Sequence, residues 1–503
     1  MNLMMLLEMA ASGFGERTAV GPQGRGLTYE QLFQRSGAVA TRFRNTGIDR
    51  VSLVDVSSEA LPIALFGSAW AGVPFVPLNY RLTRPELRHL AAEVAPSVTV
   101  CSDDALDAIG DLDGVRAVVR PDFLSHWAEG AAPDSDWNAD PDEIAILLYT
   151  SGTTGAPKAA VLRHKHLVSY IIGSVEFMGA AEDEATLISV PPYHVAGLAA
   201  ILSSVYAGRR IVQLPNFDAD AWVSLVRAEG VTHAMVVPTM LSRIVVRLEE
   251  IGGGLPTLRA LSYGGGKMPA PVIARALDAL PQANFVNAYG LTETSSTVAV
   301  LGPEEHREAH RSDDPAVRAR LGSAGRPLPA VEVDIRDEEG NPVPAGTSGE
   351  IWVRGEQVSG EYLGRDSRVT ADGWFPTNDG GSLDADGFLY VEGRIDDIIV
   401  RGGENISPGE IEDVLLSHRS VVDAAAVGVP DEQWGEAVAA VVVAAKGQTV
   451  DVAELQEFVK GRMRSSRTPD RIEVRQELPY NETGKLLRRI LRDELADSAD
   501  KSG

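Results

Sequence analysis

Between residues 143 and 290 the chain alternates short β-branched runs with segments of helical period, and that alternation leaves few folds open. Runs at 144–149 and 211–214 precede helix-period segments at 164–178 and 218–228, and a run at 285–287 precedes a glycine turn. Re-entering a sheet after a helix-length crossover gives parallel strands, so the spacing predicts an α/β layer. The first 140 or so residues repeat the logic, with helices expected at 27–46 and 59–72. Two related α/β layers packed together are therefore expected, and no solenoid-type repeat is visible.

After about residue 327 the texture changes to short alternating runs, 331–336 and 349–354. They are split by Glu339-Gly340-Asn341-Pro342 and Pro344-Ala345-Gly346, which predicts hairpins closing a small β-rich lobe. The last segment reads as a compact α+β unit with helices at 410–416, 452–463 and from Leu486, strands at 424–429 and 437–445, and a frayed tail over 494–503. A short boundary at 393–397 gives expected domains 1–393 and 394–503. A length of 503 residues, at roughly 150 per domain, agrees with several cores and excludes a small binding module.

The start, 1–11, is apolar with Glu8 and without a basic leader, so it reads as an amphipathic helix. No run reaches the roughly 18 apolar residues of a spanning helix. Cys101 is the single cysteine, which excludes an intrachain disulfide and a cysteine-based zinc cluster and fits a cytoplasmic location. Against 71 Asp and Glu stand 46 Lys and Arg, a net charge of −25 that argues against nucleic acid or anionic membrane as partner. The deficit is uneven. Residues 460–492 hold ten Lys or Arg and four acids, and Lys158, Arg163 and Lys165 form a smaller basic cluster. Small polyanions are expected at those two places, with Arg488 and Arg489 facing a nucleotide.

The strongest chemical signal is Tyr149-Thr150-Ser151-Gly152-Thr153-Thr154-Gly155-Ala156-Pro157-Lys158, directly after a buried-type strand. Hydroxyls, flexible glycines and a terminal lysine supply backbone N–H groups, side-chain donors and one cation to phosphate oxygens. The pattern departs from Gly-x-x-x-x-Gly-Lys-Ser/Thr, because Ala159 follows Lys158. Lys485, in the turn Asn481-Glu482-Thr483-Gly484-Lys485 before a helix, is a second candidate cation. Ser382-Leu383-Asp384-Ala385-Asp386-Gly387 fails as a calcium loop, since Gly393 occupies the twelfth position, and reads as a tight hairpin turn. No His-Glu-x-x-His and no Gly-x-Ser-x-Gly occurs.

The ten-residue loop resembles the signature of the adenylate-forming superfamily of acyl-CoA synthetases, adenylation domains and firefly-type luciferases. Further matching segments follow in that superfamily's order. They are Pro192-Tyr193-His194-Val195-Ala196-Gly197, Ser262-Tyr263-Gly264-Gly265-Gly266, Asn287-Ala288-Tyr289-Gly290-Leu291-Thr292-Glu293-Thr294, Thr377-Asn378-Asp379, Gly393-Arg394-Ile395-Asp396-Asp397, Gly402-Gly403-Glu404-Asn405-Ile406 and the Lys485 turn. They span nearly the whole chain.

The resemblance implies an α/β fold: a large N-terminal region of layered α/β subdomains with a small β-rich lobe, and a mobile α+β C-terminal domain. It implies an acid–thiol ligase that uses ATP and Mg2+ to make an acyl-AMP from a small-molecule carboxylic acid, releasing pyrophosphate, and then acylates coenzyme A. A carrier-protein phosphopantetheine is the alternative acceptor, and a non-catalytic nucleotide-binding protein is a more distant one. Either a monomer or a homodimer would serve.

By residue, the resemblance implies that Thr150, Ser151, Gly152, Thr153, Thr154, Gly155 and Lys158 cradle the phosphates. Gly264, Gly265, Asn287, Ala288, Tyr289 and Gly290 take the adenine side, and Asp379 and Arg394 the ribose. Thr292 reaches the α-phosphate, and Glu293 with Thr154 holds magnesium. Lys485 joins carboxylate to α-phosphate, a step in which two anions need a cation between them. Asp396 is the hinge of a rotation that withdraws Lys485 and presents Gly402, Gly403 and Glu404 to a pantetheine arm. His194 is the gate of an acyl pocket walled by Val195, Gly197, Tyr263, Gly264, Gly265 and Gly266, with contributions expected around 233–239. These walls are small or apolar, which favours a bulky, mainly apolar acid. Lys267, next along, either binds a second carboxylate or faces solvent. Two positions depart from the family pattern, Asn378 and Ala159, each standing where glycine is usual.

Overall fold

The structure is a computed structural model that describes residues 1–130, 132–133, 136–150, 157–431, 433–480 and 486–499, the side chains of Asn405 and 497–499 excepted. Two large sheets dominate it. A six-stranded sheet runs Val115–Val119, Ser97–Cys101, Arg50–Val54, Phe75–Pro77, Ile144–Thr150, Lys158–Arg163, parallel except for its last pair. A nine-stranded sheet has a parallel centre, Arg210–Gln213, Ala185–Ile188, His233–Val236, Ala260–Gly264 and Asn284–Leu291, with antiparallel edges. The expected pair of α/β layers is present, but its division does not follow the chain. Ile144–Thr150 and Lys158–Arg163 close the sheet built by the first 120 residues, while Thr18–Val20 and Leu27–Thr28 edge the other sheet. Hydrogen-bond partners of that kind are long-range and leave no periodic trace in sequence.

Between the sheets lies the largest core. It takes in Leu6, Leu7 and Ala10 of the Met4–Phe14 helix, Leu32 and Phe43 of Tyr29–Arg44, and Leu198 and Leu202 of Val195–Ala207. The Ala60–Ala71 helix is apolar on every face because protein surrounds it on every face, with Leu61 to Trp70 all buried.

A four-stranded antiparallel sheet, Glu332–Arg336, Gly349–Arg354, Phe375–Leu383, Leu389–Arg394, forms the β-rich lobe. The Asp384 turn in it is a hairpin, its carboxylate accepting from the N–H of Asp386 and Phe388. A five-stranded sheet begins five residues past that lobe, at Ile399–Arg401, and carries the Pro408–Leu416 and Val452–Lys460 helices. One expectation fails here. Residues 494–499 do not fray but complete the Arg488–Ala499 helix, because Leu491 and Leu495, four apart, seal against Ala425, Val427 and Val441 of the sheet.

Among the described residues, no helix is long and apolar enough to cross a membrane. Three buried histidines make stability pH-dependent. His164 accepts from the Leu3 N–H, His166 from the Arg163 N–H, and His306 sits between the Tyr263 hydroxyl and the Gly302 carbonyl. Since that carbonyl can only accept, Nδ1 of His306 carries the proton and Nε2 accepts from Tyr263. Burial pushes each of the three down to about 4. The unfolded chain, with histidines near 6.5, takes up protons that the folded state refuses, so stability is lost as pH falls from about 6.5 towards 4. Urea unfolding at pH 7.5 and 5.5 is expected to differ by roughly 4 kcal/mol from these three, with His194 and His233, also lowered by burial to about 4, adding in the same direction. Asp423, raised by burial to about 6, offsets part of this. An unchanged midpoint would refute the burial argument.

Candidate functional site

The loop expected to hold phosphate, 151–156, lies outside the described residues, but its neck is defined. Thr150 pairs with Lys158 across antiparallel strands, and the Thr150 hydroxyl donates to the Lys158 carbonyl at 3.3 Å. Ala159 continues the strand opposite Tyr149, buried and in regular geometry, and its carbonyl accepts from the Leu363 N–H at 2.9 Å. A side chain is accommodated there, and the dihedral freedom of glycine is not required.

The strand Asn284–Leu291 delivers Asn287, Ala288, Tyr289 and Gly290 beside Gly264. Gly264 has no room for a Cβ, which would lie 2.2 Å from the Ala288 carbonyl oxygen. The Tyr289 hydroxyl donates to Asp379 Oδ2 at 2.7 Å, and Arg394 Nη1 donates to Asp379 Oδ1 at 3.1 Å and to the Thr377 carbonyl at 3.1 Å. Asp379 and Arg394 are paired neighbours on adjacent strands, Phe375–Leu383 and Leu389–Arg394. Burial and the Asp379 carboxylate hold the Tyr289 hydroxyl well above its usual range, so it stays a donor. Asn287 spends its amide on the Ser323 carbonyl, 2.9 Å away.

After Leu291 a single tight turn, Thr292–Thr294, presents Thr292 and Glu293, with Ser295 and Ser296 beyond it at positive φ. Two residues not anticipated from sequence support that turn. Gln357, buried, donates to the carbonyls of Thr294 and Thr297, and the Tyr362 hydroxyl donates to the Glu293 carboxylate. Only the Glu-Tyr-Leu segment around 362, plain in composition, could have signalled the second.

His194 precedes the Val195–Ala207 helix, its ring 4.9 Å from that of Tyr193. Its Nε2 is enclosed without a hydrogen-bond partner, and burial lowers the ring to about 4, so it is neutral at pH 7. Gly197 follows one turn on, where a Cβ would stand 3.0 Å from the Pro191 carbonyl oxygen. Two expected pocket walls need correction. Tyr263 is fully buried in the core beneath its strand, its hydroxyl 2.8 Å from His306, so its side chain walls no pocket. His233 starts its strand and sits beside Thr232 and Glu184, at the amino edge of a sheet whose carboxyl edge faces the cavity. Gly265, at φ 81°, and Gly266 stay at that carboxyl edge, where their Cβ positions would touch only Val237 and Pro238.

A cavity of about 270 Å³ opens there, lined among others by Ser189, Thr239 and Arg243, by Tyr80 and Arg81 from the turn after the Phe75–Pro77 strand, and by Tyr480. Tyr480 reaches it from the C-terminal segment and is the last described residue before 481–485, which puts Lys485 outside the described residues.

Asn378 has φ 62°, the left-handed conformation that makes glycine usual and asparagine the next choice. Unlike glycine it has a side chain, whose Nδ2 donates to Asp396 Oδ2 at 3.0 Å. Gly402 and Gly403 have φ 58° and 82°. A Cβ on Gly402 would stand 3.0 Å from the Trp434 ring, whereas Gly403 faces open space. Lys267, partly exposed, donates to Asp413 at 2.7 Å, tying the Gly264–Gly266 edge to the Pro408–Leu416 helix.

The basic stretch is corrected most. Arg467 pairs with Glu404 and Glu410, Arg475 with Glu473 and Glu494, and Arg488 with both oxygens of Glu412 at 2.7 and 2.8 Å. Glu404 is thereby engaged, its carboxyl lowered by the Ser466 hydroxyl and by Arg467. Arg488 faces the core of the C-terminal unit, where the buried Glu412 carboxylate would be left without its cation if Arg488 were removed. Arg488→Ala is therefore expected to lower unfolding free energy by about 3 kcal/mol while leaving the Michaelis constants for nucleotides within twofold. A selective rise in one of those constants, with stability unchanged, would restore the earlier expectation.

Comparison with known proteins agrees with this arrangement. The AMP-binding enzyme family profile matches residues 7–363, and the AMP-binding enzyme C-terminal domain profile matches 410–485. The chain is 35% identical over 482 residues to a feruloyl-CoA synthase of Amycolatopsis, covering 94% of this chain and 95% of that one. It is 34% identical over 500 residues to a fatty acid–acyl-carrier-protein ligase of Streptomyces coeruleorubidus, covering 96% and 94%. Among solved structures, an o-succinylbenzoate CoA synthetase of Bacillus subtilis with ATP and magnesium superposes with a TM-score of 0.83 at 30% identity, covering 97% and 99%. The chain belongs to the AMP-binding enzyme family and is an AMP-forming acid–thiol ligase.

Proposed function

We infer that the enzyme uses ATP to activate a bulky, mainly apolar carboxylic acid as acyl-AMP and transfers the acyl group to coenzyme A. The observation that carries this is the proximity of Tyr289, Asp379 and Arg394 to Glu293 and of the Thr292–Thr294 turn to the strand that starts at Lys158. Arg394 and Tyr289 fix the orientation of the Asp379 carboxylate, which we assign to the ribose hydroxyls. Thr292 is assigned to donate to the α-phosphate, and Lys158 to meet the departing pyrophosphate.

Magnesium prefers oxygen ligands and is ordinarily held by one or two carboxylates plus substrate phosphates. Among the described residues no group of three or more His, Cys, Asp or Glu gathers into a metal cluster, and the Glu293 carboxylate fits the smaller role, with Thr154 assigned beside it. Bound there, the ion would neutralise phosphate charge. Lys485 does the complementary work between carboxylate and α-phosphate. We place the domain boundary at 393/394 and the hinge at Asp396, with rotation bringing Gly402, Gly403 and Glu404 to the thiol's path. His194, neutral, can gate the acyl pocket without adding charge next to the carboxylate.

For the acceptor, the cavity at the carboxyl edge supports CoA, because Arg81 and Arg243 bring cations and Tyr80, Phe217 and Tyr480 bring flat faces. A carrier protein remains the second reading, on the 34% identity to a carrier-protein ligase. A cytoplasmic location fits the single buried cysteine.

The test is a panel of aromatic, polycyclic and medium-chain acids scored for pyrophosphate–ATP exchange, followed by acyl transfer to CoA and to a phosphopantetheinylated carrier. At least one acid is expected to support exchange and CoA acylation. Absence of exchange across the panel would sink the function, and exchange with transfer to the carrier alone would move the acceptor to the second reading.

A further inference from the structure

Residues 359–363 form a strap that joins the two halves of the phosphate-binding apparatus. On one side it runs along the strand that leaves the phosphate loop. The Val161 N–H donates to the Glu361 carbonyl at 2.9 Å, the Leu363 N–H to the Ala159 carbonyl at 2.9 Å, and Ala160 bridges Tyr362. Arg163 grips the Glu361 carboxylate with Nε at 2.9 Å and Nη2 at 2.7 Å. On the other side the N–H groups of Ser359 and Gly360 both donate to the Glu293 carbonyl, at 2.8 and 3.2 Å. Tyr362 then reaches across the strap so that its hydroxyl donates to the carboxylate of the same Glu293.

Backbone and side chain of one glutamate are thus fixed by the same five-residue segment that fixes the start of the Lys158 strand. A carboxylate has about four lone-pair sites, so one oxygen bound by a hydroxyl leaves the other directed and available.

We propose that Tyr362 is a positioning residue for the metal–ATP complex: it orients the Glu293 carboxylate towards magnesium and registers it against the phosphate-loop strand. This rests on the reading of Glu293 as the metal-holding carboxylate. Outer partners of a metal-binding group typically change metal affinity 10- to 100-fold when removed. Tyr362→Phe keeps the ring and every backbone bond of the strap and deletes only the hydroxyl.

The experiment measures ATP binding by calorimetry with and without Mg2+, and Mn2+ binding to the protein–ATP complex by electron paramagnetic resonance, in wild type, Tyr362→Phe and Glu293→Gln. The expected result is that Tyr362→Phe weakens Mn2+ binding about 10-fold and removes most of the Mg2+-dependent gain in ATP affinity, with metal-free ATP affinity within twofold of wild type. An equal loss with and without metal would make Tyr362 part of the strap only and overturn the proposal. So would a Tyr362→Phe variant with the full metal-dependent gain while Glu293→Gln has lost it. A Glu293→Gln variant that keeps the gain would overturn the metal reading of Glu293, and the proposal with it.

Discussion

Lys485→Ala is expected to lower pyrophosphate–ATP exchange at least 100-fold while acyl transfer from a supplied acyl-AMP to CoA stays within threefold of wild type. The asymmetry follows from charge. Joining a carboxylate to an α-phosphate brings two anions into contact, and removing one aimed donor from such a site costs about 3–4 kcal/mol, or 10²–10³ in rate. The second half-reaction has no such encounter, since the acyl-AMP is already formed and the incoming group is a thiol. Lysine at 485 would then be in the way, which is the physical sense of a domain that withdraws it. Both half-reactions are read separately by exchange and by thioester formation. Equal loss in both would contradict the division of labour between the two orientations, and loss confined to thioester formation would reverse the assignment of Lys485.

The second large effect is expected at Asp379, on nucleotide binding and on folding at once. Its side chain is only 8% exposed and is held by Arg394, the Tyr289 hydroxyl and its own backbone N–H, which donates to the Thr377 hydroxyl at 3.1 Å. Asp379→Ala strands a largely buried guanidinium, whose Nε already has no partner, and a buried phenol. Breaking such a pair typically costs about 3–5 kcal/mol, so a clear fall in the thermal midpoint of the free enzyme is expected. Asp379→Asn keeps the shape and one acceptor and separates the two effects. Its stability loss should be smaller, whereas its loss of AMP affinity should stay large, because an amide offers one acceptor to two ribose hydroxyls. The stabilisation that AMP confers on each variant reads affinity independently of turnover, since a ligand raises stability only by binding the folded state. If AMP stabilises Asp379→Asn as strongly as wild type, the ribose role of Asp379 is wrong.

Elements were legible where local pattern carries them. The helices Tyr29–Arg44, Ala60–Ala71 and Ala219–Glu229 and the hairpins after 327 follow from periodicity and turn residues close in sequence. The tail over 494–499 was misread because its anchors, Leu491 and Leu495, matter only once a sheet lies beneath them. Tyr263 and His233 were misassigned for a related reason: composition says which residue types suit a pocket wall, while the facing of a strand and its carboxyl end decide which of them reach it.

Charge shows the same limit. The stretch 460–492 is basic as counted, yet Arg467, Arg475 and Arg488 are spoken for by Glu404, Glu410, Glu473, Glu494 and Glu412. Apart from Glu473, two residues from Arg475, those acids lie 19 to 76 residues away in sequence, so a short window centred on the arginines misses most of the neutralisation.

By itself the sequence determined the α/β alternation, the β-rich lobe, the motif series from Tyr149 to Lys485, and with them the chemistry of adenylate formation, because these are set by residue types at short spacing. Only the tertiary structure decided that 144–163 closes the first sheet, that Asp379, Arg394 and Tyr289 meet, and that Tyr362 holds Glu293. Each of those facts is a hydrogen bond or strand pairing between residues from 15 to 90 positions apart, and partner choice at such separations depends on how the whole chain packs.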